Sequence, residues 1–76
     1  MDTTHTVYDP QRTAEIIRRY RQRKGLSVGQ AAEAIGVTRQ TLHQLESGTA
    51  RPNSTTIAAI ASALGIAPGR LFRRVA

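Results

Sequence analysis

The stretch AAEAIGVTRQTLHQLESG, residues 31–48, decides the fold. Two short helical patterns flank Gly36, and each residue of the turn has a mechanical reason. Ala32 is small enough to let the two helices approach closely at their crossing. Gly36 supplies a backbone angle that other residues adopt only with strain, as helices meeting near a right angle require. Leu42 and Leu45 pin the second helix to the body and leave its other side free. With Arg39 at zero and about 100° per residue, His43 falls near about 40°, Ser47 about 80°, Gln40 about 100° and Gln44 about 140°, while both leucines lie opposite. Arg forks onto guanine and Gln onto adenine, so this face suits base edges; an ordinary solvated helix face would more often carry Glu and Lys.

Outward from this segment, the chain reads as further short helices. Residues 1–9 are expected to form a flexible arm, which either adds to a dimer contact or reaches a minor groove. Pro10 opens a helix that runs to Lys24 and stops at Gly25, with Ile16, Ile17 and Tyr20 on its apolar face. Tyr8 is available to pack on the body or on a second subunit. Ser27, Thr38 and Asn53 are each placed to cap the next helix by accepting a backbone N–H bond. Leu26, Ala31, Ile35, Val37, Ile57, Ile60, Ala61, Leu64 and Ile66 add to the core. Pro68 opens a fifth short helix, and Leu71 and Phe72 close the core. No alternating β pattern of useful length is present. The expectation is an all-α, compact five-helix domain over residues 10–76.

Composition narrows the function. The 76 residues carry 11 Lys and Arg against 5 Asp and Glu, a net charge of +6. A small basic domain suits a polyanionic partner. The absence of cysteine excludes disulfides and cysteine-ligated zinc, and His5 and His43 alone make a poor metal site. No metal or cofactor is expected. No paired carboxylates, nucleophile–base pair or phosphate-binding glycine loop is present, and a core this small encloses no typical substrate pocket, so the chain is not read as an enzyme. No apolar run approaches the roughly 20 residues that span a membrane. A cytoplasmic protein, nucleoid-associated when bound to DNA, is expected.

The stretches RQRKGLS, AAEAIGVTRQTLHQLESG, RPNSTTIAAIASALGI and GRLF together resemble the Xre family of helix-turn-helix proteins, which includes the lambda-type repressors and Cro. The resemblance covers residues 13–72. It implies a lambda-repressor-like fold and a transcriptional regulator, most simply a repressor bound as a homodimer to a two-fold operator in double-stranded DNA. The helix from Thr38 to Ser47 would lie in the major groove, with Arg39, Gln40 and Gln44 reading bases. His43 shares that face and serves either a contact to DNA or simply the polar surface. Ser27, Thr38, Ser47, Thr49, Arg51 and Asn53 would hold phosphates. Arg21 and Glu46 would form a partly buried ion pair. Ile66, Ala67, Leu71 and Val75 are the dimer candidates.

The chain departs from the family at Val28, where a Gln that contacts phosphate or a side chain of the recognition helix is common, and Gly29 in the first helical turn reads either as room for close approach of DNA or another backbone or as simple tolerance near a helix end. The competing reading is a protein-interaction module of the antitoxin kind, partnered by a toxin or by RNA polymerase. A controller protein of a restriction–modification system is a third, DNA-binding, possibility.

Overall fold

The computed structural model describes residues 5–75. Strand β1 (His5–Tyr8) leads into α1 (Pro10–Lys24), α2 (Val28–Ile35), α3 (Arg39–Ser47) and α4 (Ser54–Leu64). A single 3-10 turn, Pro68–Leu71, then leads into strand β2 (Phe72–Val75).

Side-chain caps set the helix starts. Asp9 Oδ1 accepts the N–H groups of Gln11 and Arg12, both at 3.1 Å, just ahead of Pro10. Ser27 builds a reciprocal cap on α2: its Oγ accepts Gln30 N–H at 3.1 Å, while Gln30 Oε1 accepts Ser27 N–H at 2.8 Å. Thr38 Oγ1 accepts Thr41 N–H at 3.0 Å, and Asn53 Oδ1 accepts Thr56 N–H at 2.8 Å. Each such cap is worth about 1 kcal/mol. At the α2–α3 turn Gly36 takes a φ of 90°, which favours glycine, and the N–H groups of Gly36 and Val37 both reach the Ala32 carbonyl, at 2.8 and 2.9 Å.

The core is formed by Ile17, Leu42, Leu45, Ile60 and Leu71, all essentially without exposure. Ala14, Ala31, Ala32, Ile35, Ala50 and Ala61 fill the spaces between them. Burying one such large side chain contributes about 1.5–3 kcal/mol, so these few residues dominate the stability of a small domain. Ile16, Tyr20, Leu26, Val37, Ile57, Leu64, Ile66 and Phe72 are only half-buried and surround that centre.

Two expectations are corrected. The fifth helix is absent: Pro68–Leu71 makes only a 3-10 turn, with no side-chain cap at Ala67. The chain then leaves the turn extended, because Phe72–Val75 is drawn into a sheet. That sheet is the second correction, since no strand was expected. β1 and β2 pair antiparallel, with Thr6 opposite Arg74, Val7 opposite Arg73 and Tyr8 opposite Phe72. The Tyr8 and Phe72 rings meet edge to face, 6.0 Å apart at 84°. Asp9 N–H extends the pairing to the Leu71 carbonyl at 2.9 Å, and Arg12 Nη1 donates to the Phe72 carbonyl at 3.4 Å. Over His5–Tyr8 the segment anticipated as an arm is therefore a paired strand; residues 1–4 lie outside the described residues.

Candidate nucleic-acid interface

Leu42 and Leu45, at 0% and 1% exposure, hold α3 by its inner side. Arg39, Gln40, His43, Gln44 and Ser47 are all exposed on the outer side. One rigid helix thus presents five polar side chains as a continuous strip whose neutral members can both donate and accept.

The far end of α3 is fixed from behind by α1. Arg21 Nε and Nη2 donate to the two carboxylate oxygens of Glu46 at 2.8 and 3.0 Å. Arg21 Nη1 reaches the Leu26 carbonyl at 3.4 Å, tying in the turn before α2. The bond to Glu46 raises the Arg21 pKa above its already high ordinary value, with burial opposing and the charge of Glu46 adding. Arg18 Nη1 donates to the Glu46 main-chain carbonyl at 2.6 Å, setting a cation at the C-terminal end of α3 where the helix dipole favours one. Sequence reasoning missed Arg18. The signal available was its place on α1 beside Ile17 and Arg21.

The expected phosphate contacts are placed unevenly. The Ser27 hydroxyl and N–H are both engaged in the cap with Gln30. The following N–H groups, of Val28 and Gly29, precede the first intrahelical donor, as at any helix start. Thr38 Oγ1 accepts from the Thr41 N–H and donates to Thr41 Oγ1 at 2.9 Å. The Ser47 and Thr49 hydroxyls lie 2.9 Å apart, both near the Gln44 carbonyl. Arg51 is exposed on the loop after α3. Asn53 spends its oxygen on the α4 cap, which leaves its amide NH2 as donor. These side chains stand at the start of α2, at the start of α3, and at the end of α3 and the loop that follows it, and Arg51 is the charged one among them.

Gly29 lies under the tip of Arg39. A Cβ at Gly29 would stand 2.8 Å from both Nε and Nη2 of Arg39 and 3.1 Å from Cζ.

The dimer candidates differ in exposure. Leu71 is fully buried, at 0% exposure, and this corrects its place among them: it belongs to the core. Val75 is paired in β2, Ala67 is exposed, and Ile66 is half-buried. Ile66 joins Ile16, Tyr20 and Leu64 in a groove bordered by Arg19, Arg23 and Arg70. Tyr20, expected in the core, lines this groove. Arg19 and Arg23 sit about 160° around α1 from Arg21, so the groove is on the side of α1 turned away from Glu46 and α3. No helix among the described residues is long and apolar enough to cross a membrane.

The helix-turn-helix family model HTH_3 matches residues 17–71. An uncharacterized HTH-type transcriptional regulator of Methanothermobacter thermautotrophicus is 44% identical over 50 residues, which are 66% of this chain and 72% of that protein. The restriction-modification controller protein C.AhdI from Aeromonas hydrophila superposes with a TM-score of 0.69 at 30% identity, over 83% of this chain and 96% of its own. The hypothetical transcription factor NHTF from Neisseria gives a TM-score of 0.71 at 27% identity, over 82% and 71%. An HTH_3 family transcriptional regulator from Vibrio cholerae gives 0.68 at 29% identity; the match covers 82% of this chain but only 35% of that larger protein.

Proposed function

The chain belongs to the HTH_3 family of helix-turn-helix, DNA-binding transcriptional regulators, and from that premise we propose that it is a repressor that reads a two-fold operator as a homodimer. The observation that carries this reading is the exposed strip Arg39, Gln40, His43, Gln44 and Ser47 on a helix locked from behind by Leu42, Leu45 and the Arg21–Glu46 pair. α3 lies in the major groove, where Arg39, Gln40 and Gln44 meet base edges and His43 meets a base or a phosphate. The N–H groups at the start of α2, the Ser47–Thr49 hydroxyl pair, Arg51 and the Asn53 amide hold the DNA backbone on either side. Ser27 and Thr38 contribute chiefly by capping.

One half-site is too short for useful specificity, and two copies on half-sites about 34 Å apart are the usual remedy. Ile66, Ala67 and Val75 are the side chains left to form the dimer contact. Occupation of a promoter by such a dimer excludes polymerase, which is repression in its simplest form. The likeness in fold to C.AhdI makes a controller role in restriction–modification a variant of the same reading.

A second reading, a module that also binds a toxin or RNA polymerase, draws support from one observation. The arginine-bordered groove faces away from α3 and so remains open while DNA is held.

Selection of bound sites from random double-stranded DNA at about 150 mM salt tests the proposal, because loose charge attraction is screened there. A two-fold motif with half-sites about one helical turn apart is the expected result. Binding that enriches no motif and vanishes as salt rises would reject it in favour of the protein-partner reading.

A further inference from the structure

Gly29 occupies the second position of α2, and its φ lies outside the left-handed region. No torsion there calls for glycine, and within a helix glycine is a poorer choice than alanine. What the position does leave, without a Cβ, is room for a neighbouring side chain. The Arg39 guanidinium lies so close that a methyl group would meet Nε and Nη2 at 2.8 Å and Cζ at 3.1 Å. Such separations are below ordinary van der Waals distance, so with alanine at 29 the guanidinium must move. Neither ion pair among the described residues involves Arg39, so no carboxylate there claims its guanidinium. Its N–H donors stay available for a base edge.

We infer that Gly29 is a specificity-determining positioning residue: the notch it leaves in the first turn of α2 seats the Arg39 guanidinium at the α2–α3 junction, so that it meets one base pair of each half-site in a preset place. This rests on the reading of Arg39 as a base contact. An arginine side chain has many rotamers, and the entropy lost in ordering them offsets part of the energy of binding a base. A seat over Gly29 removes part of that loss and aligns the fork for guanine, whose O6 and N7 take two N–H groups only in one orientation. The unfavourable helix residue is thereby explained by the neighbour it accommodates.

The test compares the wild type with Gly29→Ala, Arg39→Ala and the double variant by site selection, and by affinities for the selected operator and for random DNA. Arg39→Ala is expected to erase the preference at one base pair per half-site. Gly29→Ala is expected to weaken that same preference by about threefold or more, with the other positions unchanged. The double variant should match Arg39→Ala alone. Folding is followed by thermal melting: Gly29→Ala should raise Tm more in the Arg39→Ala background, where no guanidinium has to be displaced. If Arg39→Ala erases a preference that Gly29→Ala leaves intact, the seat is refuted while the base reading stands. If Gly29→Ala weakens operator and random DNA alike, glycine serves close approach of the DNA backbone, and the inference is equally refuted. Arg39→Ala weakening all sequences equally would remove the base contact itself and the inference with it.

Discussion

Arg21 and Glu46, on different helices, face each other as a parallel fork: Nε to Oε2 at 2.8 Å and Nη2 to Oε1 at 3.0 Å. Their side chains retain 24% and 12% exposure, so the pair sits between the cheap desolvation of a surface bridge and the heavy cost of a buried one. Such planar, two-bond geometry resists rotation. It therefore fixes the orientation of α3 about its own axis, which is what decides where Arg39, Gln40 and Gln44 point.

Glu46→Gln should leave Arg21 half-buried without its counter-charge and lower unfolding stability by about 1–3 kcal/mol. Arg21→Lys keeps the charge but loses the fork, and about 1 kcal/mol is expected. Urea unfolding measures both. Unchanged midpoints would show that α3 is held without help from the Arg21–Glu46 pair.

Asn53 allows the cap to be separated from the proposed phosphate contact. Asn53→Asp retains the oxygen that caps α4 and adds a negative charge at a helix start, so stability should hold. The same change removes the amide donor and repels phosphate, so affinity should fall for every DNA sequence. Asn53→Ala should cost about 1 kcal/mol of stability as well. Melting curves set beside binding isotherms decide whether the two effects part company.

Arg51 and Gln40 should fail in different ways. Arg51→Ala should weaken operator and random DNA together and reduce the slope of log affinity against log salt by about 1. Gln40→Ala should cost about 1–3 kcal/mol on the operator alone and relax one base position. A salt titration on both DNAs distinguishes them, and a position-specific loss for Arg51→Ala would move that residue from backbone to base.

The Tyr8 phenol is raised above its ordinary value of 10.0, first by burial, with the Thr13 hydroxyl opposing and the Asp9 charge adding. The neutral form is therefore favoured in the folded protein. Its contribution is intact below about pH 10 and fades as pH climbs through the raised value. Denaturation between about pH 8 and 11 should show a steeper alkaline decline for the wild type than for Tyr8→Phe. Parallel curves would mean that Tyr8 titrates in the native state as it does unfolded.

Local signals made the helices legible. Ser27, Thr38 and Asn53 announce helix starts because a cap is a bond within three residues, and Gly25, Gly36, Gly48 and Gly65 announce the ends. The sheet was illegible for the opposite reason. HTVY and FRRV are each too short to show a period, and each is a strand only because the other lies beside it. Without that pairing in view, Pro68–Leu71 looked like one more helix start, and Leu71 looked free to serve a partner as well as the core. Gly29 was opaque because its explanation, Arg39, arrives on the next helix.

Pairing Tyr8 with Phe72 and His5 with Val75 encloses all four helices in one loop of the chain. The entropy of closing a loop rises only with the logarithm of its length, so the equilibrium tolerates a closure this long. The folding rate does not, because long-range pairings are found late. The helices should therefore assemble first and the strands zip last, which makes the ladder the segment that frays first and exchanges its amide protons soonest. A circular permutant that links residues 5 and 75 and opens the chain in the loop at residues 49–52 would turn this late, distant encounter into a local hairpin and exchange the order of events.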